Sequence, residues 1–233
     1  MIVSIHQPNY LPWIKFFHKI IFSDIFIIFD DVQLPRGKSF VLRNKIKMNK
    51  GTAWLTVPVK NKSSMLPINE IKLNNDTNWK ENHWNKIYQN YSKSKFFNTY
   101  KKDFENIFLK NNEYLMESNL SIIKLILEIL DVKMKIKFSS DLEIKSNGTN
   151  KILDIIKSVN GDEYYSGTGG GTNRYVMGKE EIFKKQNIKI KFQDFSHPKY
   201  PQLFGDFIEG LSIIDMIFNL GGKRTYNILK SIK

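Results

Sequence analysis

The chain has 233 residues, no cysteine, and 36 Lys and Arg against 23 Asp and Glu, a formal net charge of +13. Without cysteine it has no disulfide, thiolate nucleophile or Cys-ligated metal, and no apolar run is long enough for a membrane-crossing helix. The lysines are dispersed along the sequence and arginine occurs only at Arg36, Arg43, Arg174 and Arg224; nucleic-acid readers concentrate such residues on one face, so a solvated basic surface is expected and a nucleic-acid partner is not.

In chain order, residues 2–6 read as a strand, 12–22 as a helix and 24–30 as a second strand, the last with the continuous apolar character of a strand buried on both faces. The apolar start reads as a strand and not as a signal peptide. Residues 39–46 and 52–59 read as a hairpin joined through Asn49-Lys50-Gly51, with Pro58 limiting the second strand. From Thr77 to about Val132 the pattern is helical: Trp79, His83, Ile87 and Tyr91 recur every four residues, and breaks near 92–94 and 110–112 divide three helices. Alternation then returns, with strands at 135–138, 163–166 and 188–195 and helices at 151–159, 178–186 and 212–220, followed by a final short helix. The predicted fold class is α/β: a mixed, mainly parallel sheet formed by N- and C-terminal portions (1–75 and 133–233) around a helical insert (76–132) in one compact domain.

Five groups of residues could carry chemistry. His6 and Gln7 follow the first strand, where open α/β sheets bind ligands. Histidine titrates near neutral pH and is the default acid–base group, while Gln7 can donate and accept at once; a loop histidine bonded to backbone is the structural alternative. Asp30 and Asp31 end the second strand, and a carboxylate beside His6 would orient it and raise its pKa; the alternative is a turn. Alternation along Ser39–Asn44 puts Ser39, Val41 and Arg43 on one strand face. Arg43 among apolar neighbours calls for an anion, from a ligand or from an acid such as Asp31. The run Tyr164-Tyr-Ser166-Gly167-Thr-Gly-Gly-Gly171-Thr172 would let backbone amides approach a ligand, or form a lid or a plain surface loop. It matches neither a Walker A nor a clean dinucleotide motif. Ser212, Asp215 and Asn219 share one face of an apolar helix, where Ser212 also reads as an N-terminal cap. No metal-ligand spacing or Ser/His/Asp context is present, and no cofactor is named by these motifs.

The opening run His6-Gln-Pro-Asn-Tyr-Leu-Pro-Trp13 resembles that of the WbqC-like protein family. The resemblance continues through Asp24, Asp31-Val-Gln33, Arg43-Asn44, Trp54–Val59, Tyr165-Ser-Gly167, Tyr200-Pro-Gln202 and Leu211–Asp215 to Phe218-Asn219 and Gly221. Where the family pattern has a Gly–aromatic pair after the tryptophan, this chain has Lys15-Phe16. The resemblance implies a cytoplasmic role in surface-polysaccharide (O-antigen) biosynthesis, as a transferase attaching glycine or another acyl group to an amino sugar, with a nucleotide-linked sugar as substrate. On that reading His6 and Asp31 are catalytic, and Gln7, Tyr10, Gln33, Arg43, Asn44, Ser166, Gly167, Gln202, Asp215 and Asn219 contact substrate. The alternatives are a non-catalytic sugar-nucleotide or partner-binding module and, from a similar first strand–helix–strand unit, an ATP-dependent nucleotidyltransferase or ligase. The His-x-Gly-His signature of the last group is absent.

Overall fold

The first strand, β1 (Ile2–His6), is short and apolar and lies at the centre of a five-stranded sheet. The computed structural model describes residues 1–35, 37–60 and 65–232. Helix α1 (Ile14–Ile21) returns the chain to β2 (Ile25–Ile28), which pairs in parallel with β1. Further along, β5 (Lys135–Phe138) adds beyond β2, β6 (Glu163–Ser166) pairs with the free side of β1, and β7 (Lys189–Phe192) closes the far edge. The order β5-β2-β1-β6-β7 is parallel throughout. The chain builds outward from β1 first in one direction and then in the other, so a topological switch point lies between β1 and β6.

Strand alternation divides the sheet into two faces. Val3, Ile5, Ile25 and Ile27 pack with α5 (Gly148–Ser158) and with Phe183 of α7 (Glu180–Lys184). Phe26 and Ile28 join the larger cluster, which takes in α1, the three central helices α2 (Trp79–Tyr91), α3 (Phe97–Leu109) and α4 (Leu115–Ile129), and the late helix α8 (Ile213–Leu220). The last helix, α9 (Gly222–Ser231), packs on α1. The hairpin β3 (Arg43–Lys47) and β4 (Thr52–Thr56) forms its own antiparallel pair. Among the described residues no helix is long and apolar enough to cross a membrane.

Two local expectations change. Residues 39–42 form a turn, with the Val41 amide bonded to Ser39 Oγ (3.2 Å) and the Leu42 amide to the Ser39 carbonyl (3.1 Å); a serine hydroxyl that captures nearby amides competes with strand pairing. The strand therefore starts at Arg43, and the alternation drawn from Ser39 does not apply. The glycine run also contains an unforeseen short helix, α6 (Gly170–Tyr175), whose first residues, Gly170 and Gly171, are among the poorest helix formers.

Candidate functional site

The carboxyl ends of β1 and β6 meet at the switch point, where parallel α/β sheets leave a crevice. Three connections surround it: residues 7–13 after β1, 167–169 after β6 and those following β7. A cavity of about 310 Å³ opens here, lined by Trp13, Ile14 and Lys15 from the start of α1, Phe195 and His197 from the segment after β7, and Glu209 and Gly210. Its size is at the lower end for small-molecule sites.

His6 does not line that cavity. Its ring stands edge-on to Phe16 at 5.0 Å, and Nδ1 lies 2.9 Å from the Gln7 carbonyl oxygen. A carbonyl only accepts, so Nδ1 carries the proton and Nε2 keeps its lone pair, with no protein partner among the described residues. Burial, reinforced by the charge of Lys19, pushes the ring down to about 4. His6 is therefore neutral at physiological pH. The Gln7 side chain beside it is partly buried and likewise bonds to no described residue. Lys19 is only 3% exposed; its ammonium donates to the Ile5 carbonyl at 2.8 Å, and burial, with help from Lys15, lowers it to about 7.

Asp31 is engaged elsewhere. Lys151 Nζ from α5 is 2.6 Å from one carboxylate oxygen and Ser139 Oγ is 2.5 Å from the other. Asp30 accepts from the Ser140 amide (3.0 Å) and hydroxyl (2.7 Å). Both acids thus tie the end of β2 to the end of β5, on the side of β2 away from His6. Gln33 is exposed and its backbone bridges Pro67, apart from the crevice.

The glycine loop does reach the crevice. Ser166 and Thr172 hydroxyls are 3.1 Å apart, and Thr172 Oγ1 donates to the Gly167 carbonyl at 2.8 Å, which pins both ends of the loop. Lys15 Nζ crosses from α1 to donate to Thr168 Oγ1 at 2.5 Å. A Cβ placed on Gly167, Gly169, Gly170 or Gly171 would meet nothing within 4 Å, and none of the four has a positive φ. Neither packing nor backbone conformation asks for glycine there. By contrast, a Cβ at Gly161 would lie 2.4 Å from Val3 Cγ2, and one at Gly222 only 2.0 Å from the Ile129 carbonyl oxygen.

The remaining candidates lie outside the cavity lining. The Tyr10 hydroxyl is 2.7 Å from His83 Nδ1 in the core. Asn44 donates to the Leu11 carbonyl at 2.6 Å. Leu11 sits at φ 43°, a costly conformation for leucine that persists only where its surroundings enforce it. Asn119 of α4, which the sequence did not mark, supplies the rest of that enforcement by donating to the Pro8 and Val41 carbonyls, each at 2.8 Å. Arg43 pairs with no acid among the described residues: its guanidinium lies 3.8 Å above the Trp54 ring, and its buried Nε has no described partner. Trp54 neighbours Phe40 at 6.1 Å, and Phe40 stacks on Trp13 at 5.2 Å, so an aromatic row, partly exposed (Trp54 42%, Phe40 36%), runs from Arg43 to the cavity wall.

Asp215, Gln202 and Asn219 lie on α8 and its approach. Asp215 accepts from the Tyr91 hydroxyl at 2.9 Å, and burial raises it to about 6 despite hydrogen bonding. Gln202 accepts from Lys47 Nζ (3.0 Å) and clasps Ile208 through both amide atoms, and Asn219 donates to the Asp215 carbonyl at 2.7 Å. Ser212 caps α8 as its spacing suggested. Lys15, Lys19 and Asn119 are the residues the sequence reasoning missed. All three are defined by long-range contacts, Lys15 by its bond to Thr168 Oγ1.

A sequence model of the WbqC-like protein family matches residues 7–226. The chain is similar to Uncharacterized protein Rv1507c of Mycobacterium tuberculosis (strain ATCC 25618 / H37Rv), with 30% identity over 223 residues that cover 95% of this chain and 94% of that protein. No solved structure matches.

Proposed function

Because the chain belongs to the WbqC-like protein family, we propose that it is a transferase attaching glycine or another acyl group to an amino sugar, carried on a nucleotide, in cytoplasmic steps of surface-polysaccharide biosynthesis. The observation that carries this reading is the pair of unpartnered polar groups at the end of β1: the His6 Nε2 lone pair, fixed in its tautomer by the Gln7 carbonyl at 2.9 Å, and the Gln7 amide beside it. In the proposed reaction the sugar amine attacks the carbonyl of an activated acyl donor. The C–N bond forms, the bond from the acyl carbon to its leaving group breaks, and the amine proton passes to His6 Nε2 and on to the leaving group. The depressed basicity of His6 keeps Nε2 free at neutral pH, and a bound anion would raise it toward the range that suits a base. Gln7 orients the amine. Arg43 and the aromatic row from Trp54 to Trp13 offer a face for a sugar ring or an acyl-donor carboxylate. The orienting role expected of Asp31 falls to the Gln7 carbonyl, while Asp31 is held away from His6 by Ser139 and Lys151.

The test is mass spectrometry of nucleotide sugars in cells with the chain, without it, and with His6→Ala. A mass increment present with the wild type and at least about a hundredfold lower with His6→Ala is expected, within the usual reach of general-base catalysis. An undiminished increment with His6→Ala would remove the catalytic assignment, and tight sugar-nucleotide binding with no increment in any strain would favour a binding module. The parallel order β5-β2-β1-β6-β7, with histidine at the carboxyl end of the first strand, favours a second reading: an enzyme that activates a carboxylate with ATP. Acyl-dependent cleavage of ATP by the purified chain is its measurement.

A further inference from the structure

Between β7 and α8, residues 193–211 contain no helix or strand, and irregular loops of that length inside a compact domain are usually functional. Its tip is firmly fastened. There Phe204 and Gly205 both have positive φ (60° and 49°), and the Gln202 side chain bonds to the Ile208 carbonyl and amide, each at 2.9 Å. Lys47 of β3 holds the same tip through Gln202 Oε1 (3.0 Å) and the Asp206 carbonyl (2.6 Å). The open end of the segment lies at the cavity, where Phe195, His197, Glu209 and Gly210 form the wall that faces the start of α1.

A hydrogen bond closes that end: the Gly210 amide donates to His197 Nε2 at 3.2 Å. His197 Nδ1 lies 3.0 Å from the Pro198 carbonyl, which only accepts, so Nδ1 carries the proton and Nε2 receives Gly210. The bond exists only while the ring is neutral, because a protonated ring has two N–H groups and no acceptor. Burial holds His197 below its ordinary pKa; the Pro198 carbonyl and Glu209 favour the charged form, and Lys45 of β3 opposes it. The rings of Phe195, Tyr200 and Phe207 surround the imidazole, with Tyr200 kept protonated by its burial, and Lys15 of α1 lines the same cavity. Glu209 forms no ion pair among the described residues. It gives a charged His197 a partner in place of Gly210, so both protonation states of the ring have a satisfied arrangement.

We propose that residues 195–210 are a proton-operated strap on the cavity: neutral His197 latches Gly210 and holds the wall closed, and protonated His197 releases Gly210 for Glu209 and opens it. The tip stays fastened in both states, because the Gln202 side chain does not titrate. The latch is independent of the transferase reading, since it acts on the cavity whatever is bound there.

Amide exchange in the full chain, followed by NMR from pH 7.5 to 4.5 and corrected for the intrinsic effect of pH, tests the latch, with the Ile208 amide as internal reference. Wild type is expected to protect Gly210 at least about tenfold at pH 7.5 and to lose that protection below pH 6.5, while Ile208 stays protected. His197→Ala leaves Gly210 unprotected throughout. His197→Gln, which takes up no proton, removes the pH dependence. Gly210 protection that persists to pH 4.5, loss of Gly210 and Ile208 protection together, or an unchanged pH dependence in His197→Gln would each overturn the latch.

Discussion

Asp215 places a carboxylate where its charge is penalised: it is 1% exposed, and one oxygen holds the Tyr91 hydroxyl. Its folded pKa of about 6 lies above the unfolded value of 3.8, so the folded state takes up the proton first as pH falls. Wild type should therefore gain stability relative to Asp215→Asn as pH drops through 6 toward 4, and lose that advantage above 6. Parallel urea titrations at pH 4.5 and 7.5 check the sign. Asn119 is the converse case, a buried amide that satisfies two carbonyls of different segments. Asn119→Ala strands both and should cost about 1–3 kcal/mol, seen as a lower urea midpoint with unchanged slope. The sequence marked Asp215 by its helical phase but said nothing of Asn119, because a lone asparagine in a helical stripe does not reveal which distant carbonyls it meets.

Elements were most legible where a local rule was strong. β1 and β2 are apolar runs and α2 has a four-residue stripe, and all three formed within a few residues of their expected bounds. Strand β3 was misjudged at its start because Ser39 captures the Val41 amide, and α6 was missed because it opens on Gly170 and Gly171. The same glycine arithmetic separates tightly packed positions from open ones. Gly222→Ala would drive a methyl to 2.0 Å from the Ile129 carbonyl where α9 leaves α8 and crosses α4. It should cost about 1–3 kcal/mol or more, readable as a fall in thermal midpoint. Gly169→Ala should leave that midpoint unchanged.

Across the whole molecule the histidines set the acid response. Burial pushes His6 and His83 down to about 4 and lowers His18 and His197 as well. The unfolded chain binds protons on these rings below the ordinary 6.5 while the folded chain does not, so stability should fall as pH drops from about 6.5 to 4, against the smaller opposing contribution of Asp215. A urea midpoint that decreases steadily from pH 7 to 5 is the expected result, and a flat or rising one would show that these rings are charged in the native state. By itself the sequence determined the α/β class, the central helical segment, the His6–Trp13 loop at a strand end and the family, because apolar periodicity and contiguous motifs are local properties. The tertiary structure alone decided the partners. It turned Asp31 toward Ser139 and Lys151, because β2 has β5 as well as β1 for a neighbour. It also brought Lys15 to the glycine loop across 153 positions of sequence. Strand order and long-range packing select such contacts, and no spacing within the chain encodes them.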